Sequence, residues 1–165
     1  MNERILVALV QDRSGVLEEV VSLFRRRGFN IKSVAVGPCE KPGLSRMTIV
    51  VETKAGNEQE IEQARKQLER LIPVVEVFDL TDNPFASQEM VLVRVKARSN
   101  TQRDRISQQL NTFGARTIAT EPKSLVVGIM GERDAIVRFI EALKNSNIRI
   151  AVLARSGLVA VRMEG

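Results

Sequence analysis

The chain has 165 residues, 44% of them apolar and 27% charged, with a formal net charge of +5 and one cysteine, Cys39. This balance is typical of a globular protein with one domain or two small ones, and a lone cysteine excludes an internal disulfide or a cysteine-based metal cluster. No window approaches the roughly 18 consecutive apolar residues of a membrane helix, and the N-terminus turns polar too early for a signal peptide. We therefore expect a cytoplasmic protein.

The composition also argues against an enzyme that acts alone. The sequence contains no His, Trp or Tyr, so the commonest general base and the commonest metal ligand are absent. Glycine-rich phosphate loops of the Walker or dinucleotide type are missing as well. We expect no catalytic residues, no metal site and no cofactor bound by this chain.

The first half of the chain predicts the element order βαββαβ. Apolar runs with strand spacing alternate with segments whose apolar residues recur on one helix face. Gly28 and Pro73 are the predicted helix ends, and a turn with two prolines and two glycines joins the two middle strands. The predicted strands are residues 5–11, 30–36, 45–53 and 74–81, and the predicted helix faces lie within residues 16–24 and 61–72.

The second half repeats this order after a short polar connector. The repeat predicts the α+β class, with two tandem ferredoxin-like domains. The domains are residues 1–82 and 89–165, and the linker is residues 83–88. The predicted strands are residues 89–97, 115–121, 124–131 and 148–163, and the helix faces lie within 106–113 and 136–143.

Several residues that could carry chemistry are assigned structural roles. Clustered carboxylates on helix surfaces are predicted to face solvent, single methionines within strands to fill the core, and Cys39, in a proline-bounded turn, to be an incidental thiol. The carboxylates are Glu18, Glu19, Glu58, Glu60 and Glu62, and the methionines are Met47, Met90, Met130 and Met163.

The second strand of the first domain is predicted to pair with a copy of itself. Right-handed crossovers give the strand order 4-1-3-2, which leaves residues 30–36 on an edge. This strand is rich in Val and Ile, and Lys32 is its one charge, which is a weak defence against pairing. We therefore expect a homodimer in which two edge strands meet across a two-fold axis.

Two features near this strand suggest a ligand site. In the loop QDRSGVLEEV, Asp12 or Ser14 is predicted to cap the first helix, and Gly15 leaves backbone N–H groups open to an anion such as a carboxylate. Plain capping is the structural alternative. The Asn30 amide could bind an ammonium and a carboxylate, or Asn30 could be a turn residue with positive φ after Gly28.

These segments resemble a known family. DRSGVL followed by LFRRRGFNIKSVAVGPCEKPGLSRMTIVV is similar to the N-terminal ACT domain of the small regulatory subunit of acetolactate synthase, also called acetohydroxyacid synthase. EQARKQLERLIPVVEVFDLT resembles that family's second helix and fourth strand, and LARSGLVAVRM its C-terminal segment. The chain departs from the family after the linker, where residues 86–90 keep only Glu89 and an apolar residue of a Val-Glu-Arg-Glu-Leu-like segment.

The resemblance implies a non-catalytic, homodimeric subunit. It would activate a separate catalytic subunit that carries thiamine diphosphate, magnesium and FAD and condenses two pyruvates, or pyruvate and 2-ketobutyrate, in branched-chain amino acid synthesis. It would also confer feedback inhibition by a branched-chain amino acid, typically valine. The effector would lie between two ACT domains, against the helix-start loop of one chain and the edge strand of the other. The implied contact residues are Asp12, Gly15, Val16, Asn30 and Ile31.

The sequence allows three further interpretations. Ferredoxin-like sheets can bind RNA through aromatic residues on their central strands, but residues 5–11 and 45–52 contain none, so the net positive charge does not favour nucleic acid. A free-standing ACT sensor of another enzyme or a transcription factor is the alternative function. The run Arg25, Arg26 and Arg27 could meet an acidic patch on a catalytic subunit or be a solvated helix end.

Overall fold

The computed structural model describes residues 2–53 and 58–163, which form two successive βαββαβ sets. The first set consists of β1 (Asn2–Gln11), α1 (Val16–Arg26), β2 (Asn30–Pro38), β3 (Leu44–Thr53), α2 (Glu58–Leu68) and β4 (Val74–Asp79). The second set consists of β5 (Phe85–Lys96), α3 (Asn100–Phe113), β6 (Arg116–Glu121), β7 (Ser124–Gly131), α4 (Arg133–Asn145) and β8 (Ile150–Arg162). Among the helices of these residues, none combines the length and apolarity that crossing a membrane requires.

The first sheet has the strand order β2-β3-β1-β4 with antiparallel neighbours, which confirms the predicted order. Alternate residues of β1 point to opposite faces, so Leu6 and Ala8 pack under the helices while Val7 lies on the other face. Phe24 of α1 is fully buried and meets Phe29 edge to face at 6.3 Å between ring centroids. One helix-covered core therefore holds the first sheet together.

The second sheet repeats this arrangement with the order β6-β7-β5-β8. Val91, Val93 and Val95 alternate along β5 towards a core that includes Phe139 of α4. Phe139 contacts Phe113 edge to face at 5.6 Å. The α+β class and both ferredoxin-like sets are confirmed.

The compact units of the chain do not coincide with the predicted domains. One unit contains Met1–Ala86 together with Leu158–Gly165, and the other contains Ser87–Gly157. In the first unit Ala160, near the end of β8, packs with Val7 and Leu80 on the face of the sheet away from the helices. The end of β8 is therefore part of the first unit's packing.

Several predicted element boundaries need correction. β5 begins at Phe85, so residues 85–88, four of the six residues of the predicted linker, are strand. The second helix ends at Leu68, and Ile72, predicted on its apolar face, is 89% exposed. Ile72 precedes Pro73, and the residue before a proline is disfavoured in the helical conformation.

The assignment of the methionines to the core is wrong for three of the four. Met47 is buried, but Met130 is 71% exposed, and Met90 and Met163 are also exposed. Met130 follows Ile129, which faces the helices, so strand alternation turns Met130 to the open face. Glu18 and Glu19 face solvent as predicted, and the side chains of Glu58 and Glu60 lie outside the described part of the structure.

Candidate functional site

The helix-start loop is built around a glycine with left-handed backbone. Gly15 is the N-cap of α1, with φ 86° and ψ −17°, and no side chain within residues 2–53 and 58–163 caps the helix. The prediction that Asp12 or Ser14 caps it is therefore wrong. The Asp12 backbone N–H instead donates to the carbonyl of Gly43 at 2.9 Å, which holds Asp12 against the turn between β2 and β3.

The start of α1 has no side-chain cap among the described residues, and the charges around it are mixed. The first N–H groups of a helix have no acceptor inside it, and their dipoles favour an anion. Arg13 lies beside them, where its guanidinium is 3.6 Å from the Glu19 carboxylate and its Nε donates to Gln11 Oε1 at 3.0 Å. Val16 is buried in the core and anchors the loop.

The Asn30 side chain is exposed at the start of edge strand β2. Its Nδ2 donates to Glu52 Oε2 at 2.7 Å, and Lys32 Nζ lies 3.1 Å from the same oxygen. Two hydrogen bonds hold the pKa of the Glu52 carboxyl below its usual value. The bond from Asn30 has the larger effect, and the bond from Lys32 comes second. The interpretation of Asn30 as a residue with positive φ is wrong, because Gly28 takes that role with φ 72°.

The same strand is irregular next to Asn30. The pairing of β2 with β3 shifts between Ile31 and Ser33, so Lys32 is the inserted residue of a β-bulge. Ile31 packs against the core of the first unit. Ser33 Oγ is buried and has no hydrogen-bond partner within residues 2–53 and 58–163. The edge therefore carries an unpaired polar group.

A single chain does not bring the five predicted contact residues together. The helix-start loop follows Gln11, which pairs with Leu44 at one end of β3, whereas Asn30 pairs with Glu52 near the other end. Eight positions of strand separate the two partners, about 27 Å at roughly 3.4 Å per residue. Asp12, Gly15 and Val16 thus form one cluster, and Asn30 and Ile31 form another.

Two charged contacts, one in each unit of the chain, were not predicted. Glu52 pairs with Asn30 across 22 residues of sequence, a contact that only the register of β2 against β3 reveals. Glu89, the acid kept after the linker, is buried and accepts from Arg155 Nε at 2.7 Å. The hydrogen bonds that Arg155 donates to the Glu89 carboxylate raise the pKa of its guanidinium. Arg155 lies in the C-terminal segment LARSGLVAVRM, so two family-like segments meet in one ion pair.

Comparison with known proteins covers both halves of the chain. The family model described as an AHAS small subunit-like ACT domain matches residues 6–76, and the model described as the small subunit of acetolactate synthase matches residues 88–164. The crystal structure of the acetolactate synthase small subunit from Thermotoga maritima is similar with a TM-score of 0.85 and 33% identity, covering 100% of this chain and 99% of that one.

Relatives of similar length give the same result. The probable acetolactate synthase small subunit of Methanothermobacter thermautotrophicus is 40% identical over 157 residues, covering 95% of this chain and 90% of that protein. The acetolactate synthase small subunit of Haemophilus influenzae is 38% identical over 158 residues, covering 96% and 94%. This agreement over nearly the whole length shows that the chain belongs to the family of acetolactate synthase small subunits.

Proposed function

We propose that this chain is a non-catalytic regulatory subunit that activates the large subunit of acetolactate synthase and lets a branched-chain amino acid, typically valine, inhibit it. Membership of a small-subunit family implies a larger partner. We assign thiamine diphosphate, magnesium and FAD to that partner, and the whole assembly to the cytoplasm. One observation supports an effector site shared by two chains. The two clusters of predicted contact residues lie far apart within one chain, and a second copy of the chain would bring them together.

A two-fold axis through the middle of β2 would join the two halves. In antiparallel pairing of two copies of Asn30–Pro38, Asn30 of one chain lies opposite Pro38 of the other. Pro38 pairs with Ser45, next to Leu44, which is the partner of Gln11 at the start of the helix-start loop. Asn30 and Ile31 of one chain would then face Asp12, Gly15 and Val16 of the other.

The chemistry of the two clusters fits a free amino acid. The open N–H groups at the start of α1 would donate hydrogen bonds to its carboxylate, since Gly15 has no side chain to block the approach of that group. The Asn30 amide and the ionised Glu52 beside it suit the ammonium group. The half-buried Ile31 would contact the aliphatic tail, whose burial contributes about 1.5–3 kcal/mol.

The edge strand has features that favour a partner. Val36, on the helix-covered side of β2, is 49% exposed, and the buried Ser33 Oγ lacks a hydrogen-bond partner in the described chain. A second copy of β2 would cover Val36 and could supply a hydrogen-bond donor or acceptor to Ser33 Oγ. A site made from two chains also gives the effector a route to control assembly, because an effector that prefers one quaternary arrangement shifts the population towards it.

The proposed function is tested by reconstitution with the large subunit from the same source. Acetolactate formation is measured with the large subunit alone, with this chain alone and with both, each with and without valine, leucine or isoleucine. We expect negligible activity from this chain alone, stimulation of the large subunit on mixing, and inhibition of the mixture by at least one of the three. Absence of stimulation at saturating small subunit would contradict the proposal and favour a free-standing sensor.

A further inference from the structure

A cavity of about 160 Å³ in the second unit is lined by positive and polar side chains. It lies between the end of β5, the first turns of α3 and the connection from α4 to β8. No lining residue is acidic, in contrast to the mixed charge at the start of α1. The four cations that line it are Lys96, Arg98, Arg105 and Arg149.

Backbone hydrogen bonds hold three of these cations in place. The Lys96 N–H donates to the Arg149 carbonyl at 2.9 Å, which fixes the end of β5 beside the residue that precedes β8. The Arg98 N–H donates to Gln102 Oε1 at 2.7 Å, at the start of α3. Asn147, with φ 55°, makes the tight turn that leads into Arg149. The cluster is thus a consequence of the fold of this unit.

The positive charge of this cluster is not neutralised by neighbouring carboxylates. Within residues 2–53 and 58–163, none of the four cations forms an ion pair. Other arginines of the same unit do: Arg94 lies 3.5 Å from Glu121, and Arg155 binds Glu89. Four like charges around one concavity repel one another and concentrate positive potential there, a cost that a bound anion offsets.

We propose that this cavity binds a small phosphate-bearing anion. Arginine guanidinium groups match the oxygens of a phosphate with two parallel hydrogen bonds, and a lysine adds a point charge. The volume corresponds to about five waters at roughly 30 Å³ each, which accommodates one or two phosphate groups. All of the lining residues belong to the second unit, whereas the proposed effector contacts belong to the first.

The test is isothermal titration of the full chain with inorganic diphosphate and, separately, with glycerol 3-phosphate, at about 0.15 M salt to screen diffuse attraction. We expect saturable binding, which the double variant Arg105→Gln/Arg149→Gln weakens at least about tenfold through lost charge-assisted hydrogen bonds. The double variant Arg25→Gln/Arg26→Gln removes the same charge from the exposed end of α1 and should bind as the wild type does. If diphosphate binds more tightly, the site prefers an inorganic phosphate anion. If glycerol 3-phosphate binds more tightly, the site prefers a phosphate ester.

Three results would overturn the proposal. Absence of saturable heat with both probes would mean that the cavity is not an anion site. An equal loss of affinity in both double variants would mean that the anions respond only to net charge. If diphosphate does not bind but Arg105→Gln/Arg149→Gln abolishes stimulation of the large subunit, the cluster is a protein contact and the phosphate assignment is wrong.

Discussion

Gly15 controls the proposed effector contact through its backbone alone. Its φ of 86° is accessible to glycine and strained for other residues. We predict that Gly15→Asp abolishes inhibition by the effector, because the new carboxylate repels that of the amino acid beside the open N–H groups. Stimulation of the large subunit should persist.

The matched control for this variant is Gly114→Asp. Gly114 ends α3 with φ 66°, so the backbone strain is comparable, but it lies in the other unit. Inhibition assays on both variants separate strain from site chemistry. Loss of inhibition in Gly114→Asp, or its retention in Gly15→Asp, would contradict the assignment.

A pH-dependent contribution to stability comes from Glu62 on α2. Arg65 donates to both Glu62 oxygens at 2.8 Å, and these hydrogen bonds lower the pKa of Glu62 from 4.5 to about 2. A depressed pKa in the folded state stabilises the protein above the unfolded pKa, and this stabilisation is lost as the pH falls towards 2. Because the pair is partly exposed to solvent, its contribution at pH 7 should be below about 1 kcal/mol.

We predict that Glu62→Gln lowers the free energy of unfolding at pH 7 and that the difference from the wild type vanishes near pH 2. Urea unfolding of both proteins at pH 7, 4 and 2 measures this difference in the free energy of unfolding. Glu141→Gln on α4 is the control, since Glu141 has no ion pair among the described residues and should show no such trend. A difference between wild type and Glu62→Gln that stays constant with pH would exclude the ion pair as its cause.

At the scale of elements, the edge strand β2 determines the proposed assembly. We predict that Val36→Lys weakens the homodimer at least about tenfold, because the two-fold axis brings two like charges into the interface. Sedimentation velocity over a range of concentrations measures the change. Val75→Lys places the same charge on β4, the other edge of the same sheet, where the side chain is also exposed. Dissociation by Val75→Lys alone would identify β4 as the dimer edge.

The sequence was informative about elements and less so about contacts between them. Hydrophobic periodicity predicted all twelve elements, and the right-handed crossover rule predicted the strand order of the first sheet. Helix ends were less predictable, as Ile72 shows, since the restriction imposed by Pro73 outweighed the apolar pattern. The pairing of Asn30 with Glu52 depends on strand register, which no local pattern encodes.

The cationic cavity could not be predicted for a related reason. Its residues come from segments about 50 positions apart, Lys96 to Arg105 and Ser146 to Arg149, and each segment alone reads as an ordinary charged surface. The helix-start loop was only partly predictable. Its glycine and its open N–H groups follow from the sequence, but the missing cap depends on the hydrogen bond that ties Asp12 to Gly43.

At the scale of the molecule, the chain returns to its first unit at the end. Ala160 is 1% exposed and packs with Val7 and Leu80. We predict that Ala160→Asp lowers the free energy of unfolding by about 3–5 kcal/mol, because it buries an uncompensated charge. Hydrogen exchange should then be faster in β1 and β4. Val159→Asp, one residue earlier and half exposed, should leave exchange unchanged. Equal effects of the two variants would show that β8 does not stabilise the first unit.

The central claim, an effector site shared by two chains, is tested most directly by valine titration of a mixed dimer. One chain carries Gly15→Asp and the other Asn30→Ala, with different affinity tags so that the heterodimer is purified. Each variant homodimer should bind no valine, since both of its sites are damaged. The heterodimer keeps one site with both halves intact, so it should bind half as much valine as the wild type, with wild-type affinity. No binding by the heterodimer, with binding by the wild type intact, would place both residues in a site within one chain and contradict the account.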